Sequence, residues 1–239
     1  MLAFLIFGFL AEIIASSVGF GASTILLPLA LLYFDFKTAL TLVAFFHLFG
    51  TLSRSYFFRA GLNKKIVFQF GLPSVFFGLL GAYFANTLTQ TMLKGLLGVF
   101  LIAYGLFSLW KGGFRLKSTL PNLLFGGSLS GFLAGLIGTG GALRATFLSA
   151  LKSNKKEYLA TTAVVALAVD LTRIPVYLSS GFLSASYLWW LAPLFLAAAG
   201  ATFLGKRLAL FLPTKIFEKL ILLAITIAGL WFSYLWLFP

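Results

Sequence analysis

Apolar residues in this chain come in long runs, and the polar residues between them are of two kinds. Six runs, at 38–58, 66–86, 92–110, 157–179, 187–205 and 216–237, are close to 20 residues each and carry few charges. At about 1.5 Å per residue, each can span the ~30 Å hydrocarbon core of a bilayer as a simple helix. Two further apolar regions, 2–34 and 121–151, are broken by glycine and small polar residues. The first breaks at Ser16-Ser17-Val18-Gly19-Phe20-Gly21-Ala22-Ser23, and the second from Gly135 to Ala142. The flanking pieces, about 9 to 17 residues, are expected to be too short to cross singly.

The broken regions hold matching places in an internal repeat. Gly19-Phe20-Gly21 recurs 119 residues later as Gly138-Thr139-Gly140, and Arg54 recurs as Arg173. With one residue inserted, Gly61 answers to Gly181 and Pro73 to Pro193. The chain therefore divides into residues 1–119 and 120–239, each a broken region followed by three crossings. The loop after Arg54 is basic (Arg59, Lys64, Lys65), whereas Ser179 to Ser186 after Arg173 is uncharged. The next loop reverses this: Asn86 to Met92 is neutral, and Gly205 to Lys219 holds Lys206, Arg207, Lys215 and Lys219.

Charge counting chooses a topology. If each broken region crosses once, six basic loop residues (Arg59, Lys64, Lys65, Lys111, Arg115, Lys117) face nine (Lys37, Lys94, Lys152, Lys155, Lys156, Lys206, Arg207, Lys215, Lys219). If each is a re-entrant hairpin, thirteen share one side and only Lys37 and Lys94 lie opposite. The second division is what the positive-inside effect demands. A double crossing of 2–34 or 121–151 has the same parity, and loop charge does not separate it from a hairpin. The expected fold is an all-α integral membrane protein of two inverted repeats, each a re-entrant hairpin plus three transmembrane helices. Both termini are expected on the non-cytoplasmic side of the cell (plasma or inner) membrane.

Composition narrows the function classes. The chain is 61% hydrophobic and only 10% charged, far below the charge of soluble domains. A net charge of +13 could indicate nucleic acid, but the charges sit in short loops between apolar runs, where the positive-inside effect accounts for them. There is no cysteine, so disulfides, thiolate metal sites and thiol relays are excluded. The start of the chain lacks a basic n-region and is read as mature sequence. No nucleophile–base pair, metal spacing or Walker-type loop stands out, so neither enzyme activity nor a cofactor is expected.

Irregular backbone at membrane depth persists only against protein or a wet cavity. Two breaks at matching positions of opposed repeats should therefore meet near the midplane, an arrangement expected of a transporter. The helices that follow the breaks present free N–H groups and a positive dipole end. Candidate anion-binding residues are Gly19, Gly21, Ser23 and Thr24 in the first half, and Gly138, Thr139, Gly140, Gly141 and Arg144 in the second. An arginine at this depth requires a polar cavity or a partner, and its planar fork suits oxyanions. A pair with Glu12 or a helix C-terminal carbonyl is the competing role for Arg144.

Candidate gating or coupling residues are Glu12, His47, Arg54, Asp170 and Arg173. Arg54 either guides an anion or snorkels toward its basic loop. Asp170 and Arg173, three apart, share a helical face and can neutralise each other. His47 and Glu12 are candidate proton carriers, and Thr51 lies one turn from His47. Asp35, Glu157 and Glu218 read as interface charges.

These motifs are similar to those of the TauE/SafE family of sulfite and organosulfur-anion exporters. The carrying elements are Gly19-Phe20-Gly21 through Pro28, the Thr38-Ala39 helix, and the Arg54 to Arg59 stretch ending at Gly61. In the second half they are Gly131-Phe132-Leu133-Ala134-Gly135-Leu136-Ile137-Gly138-Thr139-Gly140-Gly141 and the Ala160 to Val165 helix. The resemblance implies a small carrier for sulfite, thiosulfate, sulfonates or similar anions, coupled to protons. The chain departs from the family pattern at Ala22-Ser23, at Arg144, and at Phe147 in the place of Pro28. A passive anion channel and a small-carboxylate transporter are the alternatives. Transport direction and homo-oligomerisation stay open.

Overall fold

The computed structural model describes residues 1–19, 21–110, 116–148, 151, 154–208 and 214–238. Within these, the side chains of 17, 18, 60, 208 and 214–221 lie outside the description. Phe20 of the first glycine motif and the loop residues Lys111, Arg115 and Lys152 fall outside the described residues, as do the side chains of Lys215, Glu218 and Lys219.

Among the described residues the chain is helical, with no strand. In order, the helices are α1 (Leu2–Val18), α2 (Ala22–Ala30), α3 (Phe36–Phe58), α4 (Lys64–Thr87), α5 (Gln90–Trp110), α6 (Leu120–Ile137), α7 (Gly140–Phe147), α8 (Lys155–Ser179), α9 (Leu191–Leu208) and α10 (Thr214–Leu237). Short 3-10 turns at Arg59–Gly61 and Ala185–Trp190 lead into α4 and α9. Starts are set by local chemistry: Asp35, Asn63 and Asn154 each accept the N–H three residues on, of Thr38, Ile66 and Glu157.

Both breaks are where the sequence pattern puts them, and at each the chain turns back. Gly19 and Gly138 end α1 and α6 in the left-handed region, at φ 91° and 75°, and donate to Ala15 O and Ala134 O. A side chain with a Cβ is strained there, so glycine is the natural stop. After the turn α2 runs back along α1: Leu26 lies against Gly8, and the rings of Phe34 and Phe4 meet at 5.7 Å. In the same way α7 returns along α6, with Gly140 against Ser130 and Ala134, and Phe147 against Gly126.

The second break is shorter than the sequence suggested. Gly135 reads as its beginning, yet α6 continues through it to Ile137. The reason is packing: a Cβ on Gly135 would strike Gly78 O on α4, so this glycine serves helix contact. As a result α6 reaches 18 residues and is itself long and apolar enough to cross. It joins α3, α4, α5, α8 and the Ala185–Arg207 segment as six such helices among the described residues, making this a multi-span membrane protein. For α10, only Leu222–Leu237 enters that comparison.

The packing partners come in matched sets. Helix α1 lies on α9 as α6 lies on α4, α3 touches α9 as α8 touches α4, and α3 meets α8 as α5 meets α10. The α4–α6 seam is glycine-rich, with Gly78 and Gly81 of α4 interleaved with Gly127, Gly131 and Gly135 of α6 at near-backbone contact. Ser74 closes it, its hydroxyl donating to Gly127 O at 3.0 Å. Such small-residue faces let backbones approach where lipid supplies no hydrophobic drive between helices.

Candidate functional site

The two breaks meet. A Cβ placed on Gly141, at the start of α7, would have one described neighbour within 4 Å, the backbone nitrogen of Gly21 at 4.0 Å. At Gly21, which opens α2 at φ 108°, the sole described neighbour would be Ile25 Cδ1 at 3.7 Å. These glycines differ from those of the α4–α6 seam, where an added carbon would strike backbone. The first turns of α2 and α7 thus lie beside each other, and an added carbon at either glycine meets no described atom closer than 3.7 Å.

Polar side chains around this point are buried and incompletely bonded. Ser23, Thr24 and Thr139 are all buried, and Thr24 Oγ1 and Thr139 Oγ1 have no hydrogen-bond partner among the described residues. Neither Gly21 nor Thr139, the residues that precede α2 and α7, caps its helix with a side chain. The leading N–H groups of both helices are therefore uncapped by side chains, and a desolvated donor without a partner is costly.

Three arginines lie buried in the same region, and two are matched. Arg54 Nε of α3 pairs with Glu12 Oε1 of α1 at 3.3 Å. That carboxylate oxygen also accepts from Ser16 Oγ at 3.1 Å and Thr202 Oγ1 of α9 at 3.0 Å. Arg54 accordingly turns into the protein rather than snorkelling to its loop. Arg173 of α8 holds Asp170 Oδ1 through Nε at 2.9 Å and Nη2 at 2.8 Å, the same-face pairing expected from their spacing. Its Nη1 donates to Ala134 O, and Tyr177 Oη donates to Gly135 O. Both carbonyls belong to the last turn of α6, where cations are favoured, and Ala134 O accepts from the Gly138 N–H as well.

The third arginine is different. Arg144 is 5% exposed and forms no ion pair among the described residues; its Nε, like that of Arg54, has no hydrogen-bond partner there. The charges of Asp170, Arg173 and Arg54 all act on it. Glu12, the expected competitor for this side chain, is occupied by Arg54, and the carbonyls of the α6 terminus are taken by Arg173 and Tyr177. Counting the matched pairs as neutral and His47 as uncharged, the buried cluster keeps one uncompensated positive charge among the described residues.

His47 has a partner that local sequence did not reveal. Its Nδ1 lies 2.7 Å from Asp170 Oδ2, joining the middle of α3 to α8 across the two halves. Thr51 Oγ1 donates to His47 O at 2.9 Å and stands 3.5 Å from the same Asp170 oxygen. Several contributors escaped the sequence reading. Ser16 and Tyr177 each stand one turn beyond a named residue (Glu12 and Arg173) and were detectable by that spacing. Thr202, 190 residues from Glu12, carried no local signal. Among the described residues no cluster of His, Asp and Glu could hold a metal.

A helical membrane bundle with two inward-folded breaks and a buried, net-positive centre defines a transporter-like class. The chain belongs to the TauE/SafE sulfite exporter family, whose family model matches residues 4–232. That membership makes it a membrane transporter of sulfite or related anions. No curated protein and no solved structure matches the chain.

Proposed function

We propose that this protein is a secondary transporter whose small oxyanion substrate binds where the two glycine breaks meet. The observation that carries this reading is Arg144, a buried guanidinium without a counter-ion among the described residues, beside two helix starts and two threonine hydroxyls with no described hydrogen-bond partner. An unpaired charge in a low-dielectric interior is strongly unfavourable, so an anion supplied from outside would complete the arrangement. In this reading Thr24, Thr139 and the N–H groups after Gly21 and Gly140 orient the oxygens, with Ser23 alongside. Gly19 and Gly138 make the turns. Alternating exposure of this site would follow from two inverted repeats placed in the inner membrane with both termini outside. The matched helix contacts and the reversed loop charges support that arrangement. His47–Asp170 links the halves; that pair with Arg173, and Glu12–Arg54 in the first half, are the candidates for coupling transport to protons.

The test is ligand-induced thermal stabilisation of purified protein across sulfite, sulfonates, thiosulfate, carboxylates and cations. Stabilisation by oxyanions that vanishes in Arg144→Gln is expected. Stabilisation by cations alone would sink the proposal.

A further inference from the structure

We propose that the central site is built for one net negative charge, and that it admits a doubly charged oxyanion only together with a proton on His47. This rests on the reading that Arg144 and the two breaks hold the anion. The charges are countable because the cluster is buried. Glu12 answers Arg54, Asp170 answers Arg173, and Arg144 is left over. With His47 neutral, a monoanion brings the cluster to zero. A dianion leaves it one charge short.

His47 is placed to supply that charge. Its Nδ1 is 2.7 Å from Asp170 Oδ2, while Arg173 engages the other oxygen, Oδ1. A proton on the imidazole makes Asp170 the counter-ion of a second cation, so two positive charges remain for a ligand. The competing groups are few. Helix α1, packed on α3, carries Glu12, whose Oε1 is engaged by Arg54, Ser16 and Thr202 while its Oε2 has no hydrogen-bond partner among the described residues; proton uptake there would persist in His47→Gln. Helix α2 carries no charge, and α8 faces His47 with Asp170 and, beyond it, Arg173. The charged groups of α9 are Lys206, lying over the rings of Phe57 and Phe58, and Arg207 over Phe203. On α5 the only charge is Lys94, near that helix's start, and Arg59 after α3 lies over Tyr56. None of these pairs with the imidazole. In a low-dielectric site, adding either the second negative charge or the proton alone is penalised, and adding both is not. Histidine is also the side chain that ordinarily changes charge in the physiological range. The loaded site then carries the same net charge with either class of anion.

The experiment is isothermal titration of the lipid-nanodisc protein with methanesulfonate and with sulfate, in buffers of differing ionisation enthalpy. Neither probe titrates between about pH 5 and 8, so any proton taken up goes to the protein. Expected are about one proton per sulfate and about none per methanesulfonate. Sulfate affinity should weaken by up to about tenfold per pH unit on raising the pH, and methanesulfonate affinity should stay flat. His47→Gln should remove the sulfate-linked proton and flatten its pH dependence. Equal proton uptake for the two anions, or uptake with sulfate unchanged in His47→Gln, overturns the proposal. The wild-type proton counts decide even if the variant does not fold. If neither probe binds, the site reading itself fails and takes this proposal with it. If both bind without a proton difference, this proposal alone fails.

Discussion

The two hairpins share a scaffold and differ in charge. In the first, the long limb α1 carries Glu12; its repeat counterpart in α6 is Gly131, which presses on the backbone of Ser74. In the second, the short limb α7 carries Arg144, where α2 has Ile25. The equivalent arginines Arg54 and Arg173 are therefore neutralised by different means. Arg54 takes a carboxylate from the hairpin of its own half, while Arg173 uses Asp170 on its own helix and clamps the end of α6. A doubled fold thus encloses an undoubled site: the charge on one hairpin is answered by Arg54, and the other carries a cation with no described counter-ion.

The largest expected effect tests the satisfied side. Glu12→Gln should destabilise the protein by about 3–5 kcal/mol, because Arg54 is then buried without its counter-ion. Thermal unfolding in detergent reports this, and adding Arg54→Met should recover most of the loss. An unchanged melting temperature in Glu12→Gln would mean the two hairpins do not differ in the way described. Next comes the unsatisfied side. Arg144→Gln should weaken oxyanion binding by about 1.5–3 kcal/mol, the worth of a charge-assisted hydrogen bond, with no loss of ligand-free stability. Arg173→Gln, in contrast, should lower that stability.

Glycines sharpen the same comparison. Gly131→Ala drives a carbon into Ser74 O and should cost about 1–3 kcal/mol in unfolding measurements. Gly141→Ala meets no described atom closer than 4.0 Å, so stability should hold within about 0.5 kcal/mol while oxyanion affinity falls. The smallest effect is assigned to Thr139→Val. It should reduce oxyanion affinity by about 1 kcal/mol, read by titration, without lowering the melting temperature.

Much of this was legible beforehand, for physical reasons. Helix-length apolar runs located α3, α4, α5, α8 and α9 because lipid allows little else, and the paired breaks at Gly19 and Gly138 needed left-handed backbone. Arg144 stood out as a charge too deep to be idle. Gly135 misled, since packing and turning ask for the same residue and only the neighbouring helix reveals which applies. The joining of Glu12 to Arg54 and of His47 to Asp170 was hidden for another reason. Side chains 42 and 123 positions apart meet only through helix packing, which no local periodicity records.

The glycine seam between α4 and α6 has a mechanical consequence. Backbone pressed on backbone leaves little freedom to slide, so α6 and the α7 it carries must travel with α4, a helix of the other repeat. Helix α1 is bound to α9 in the corresponding way, through Gly205 against Ile13 O. Each hairpin is thus fastened to the opposite half of the chain. Under the alternating access proposed above, the bodies that rock would be woven from both halves of the chain instead of parting at the join near residue 119.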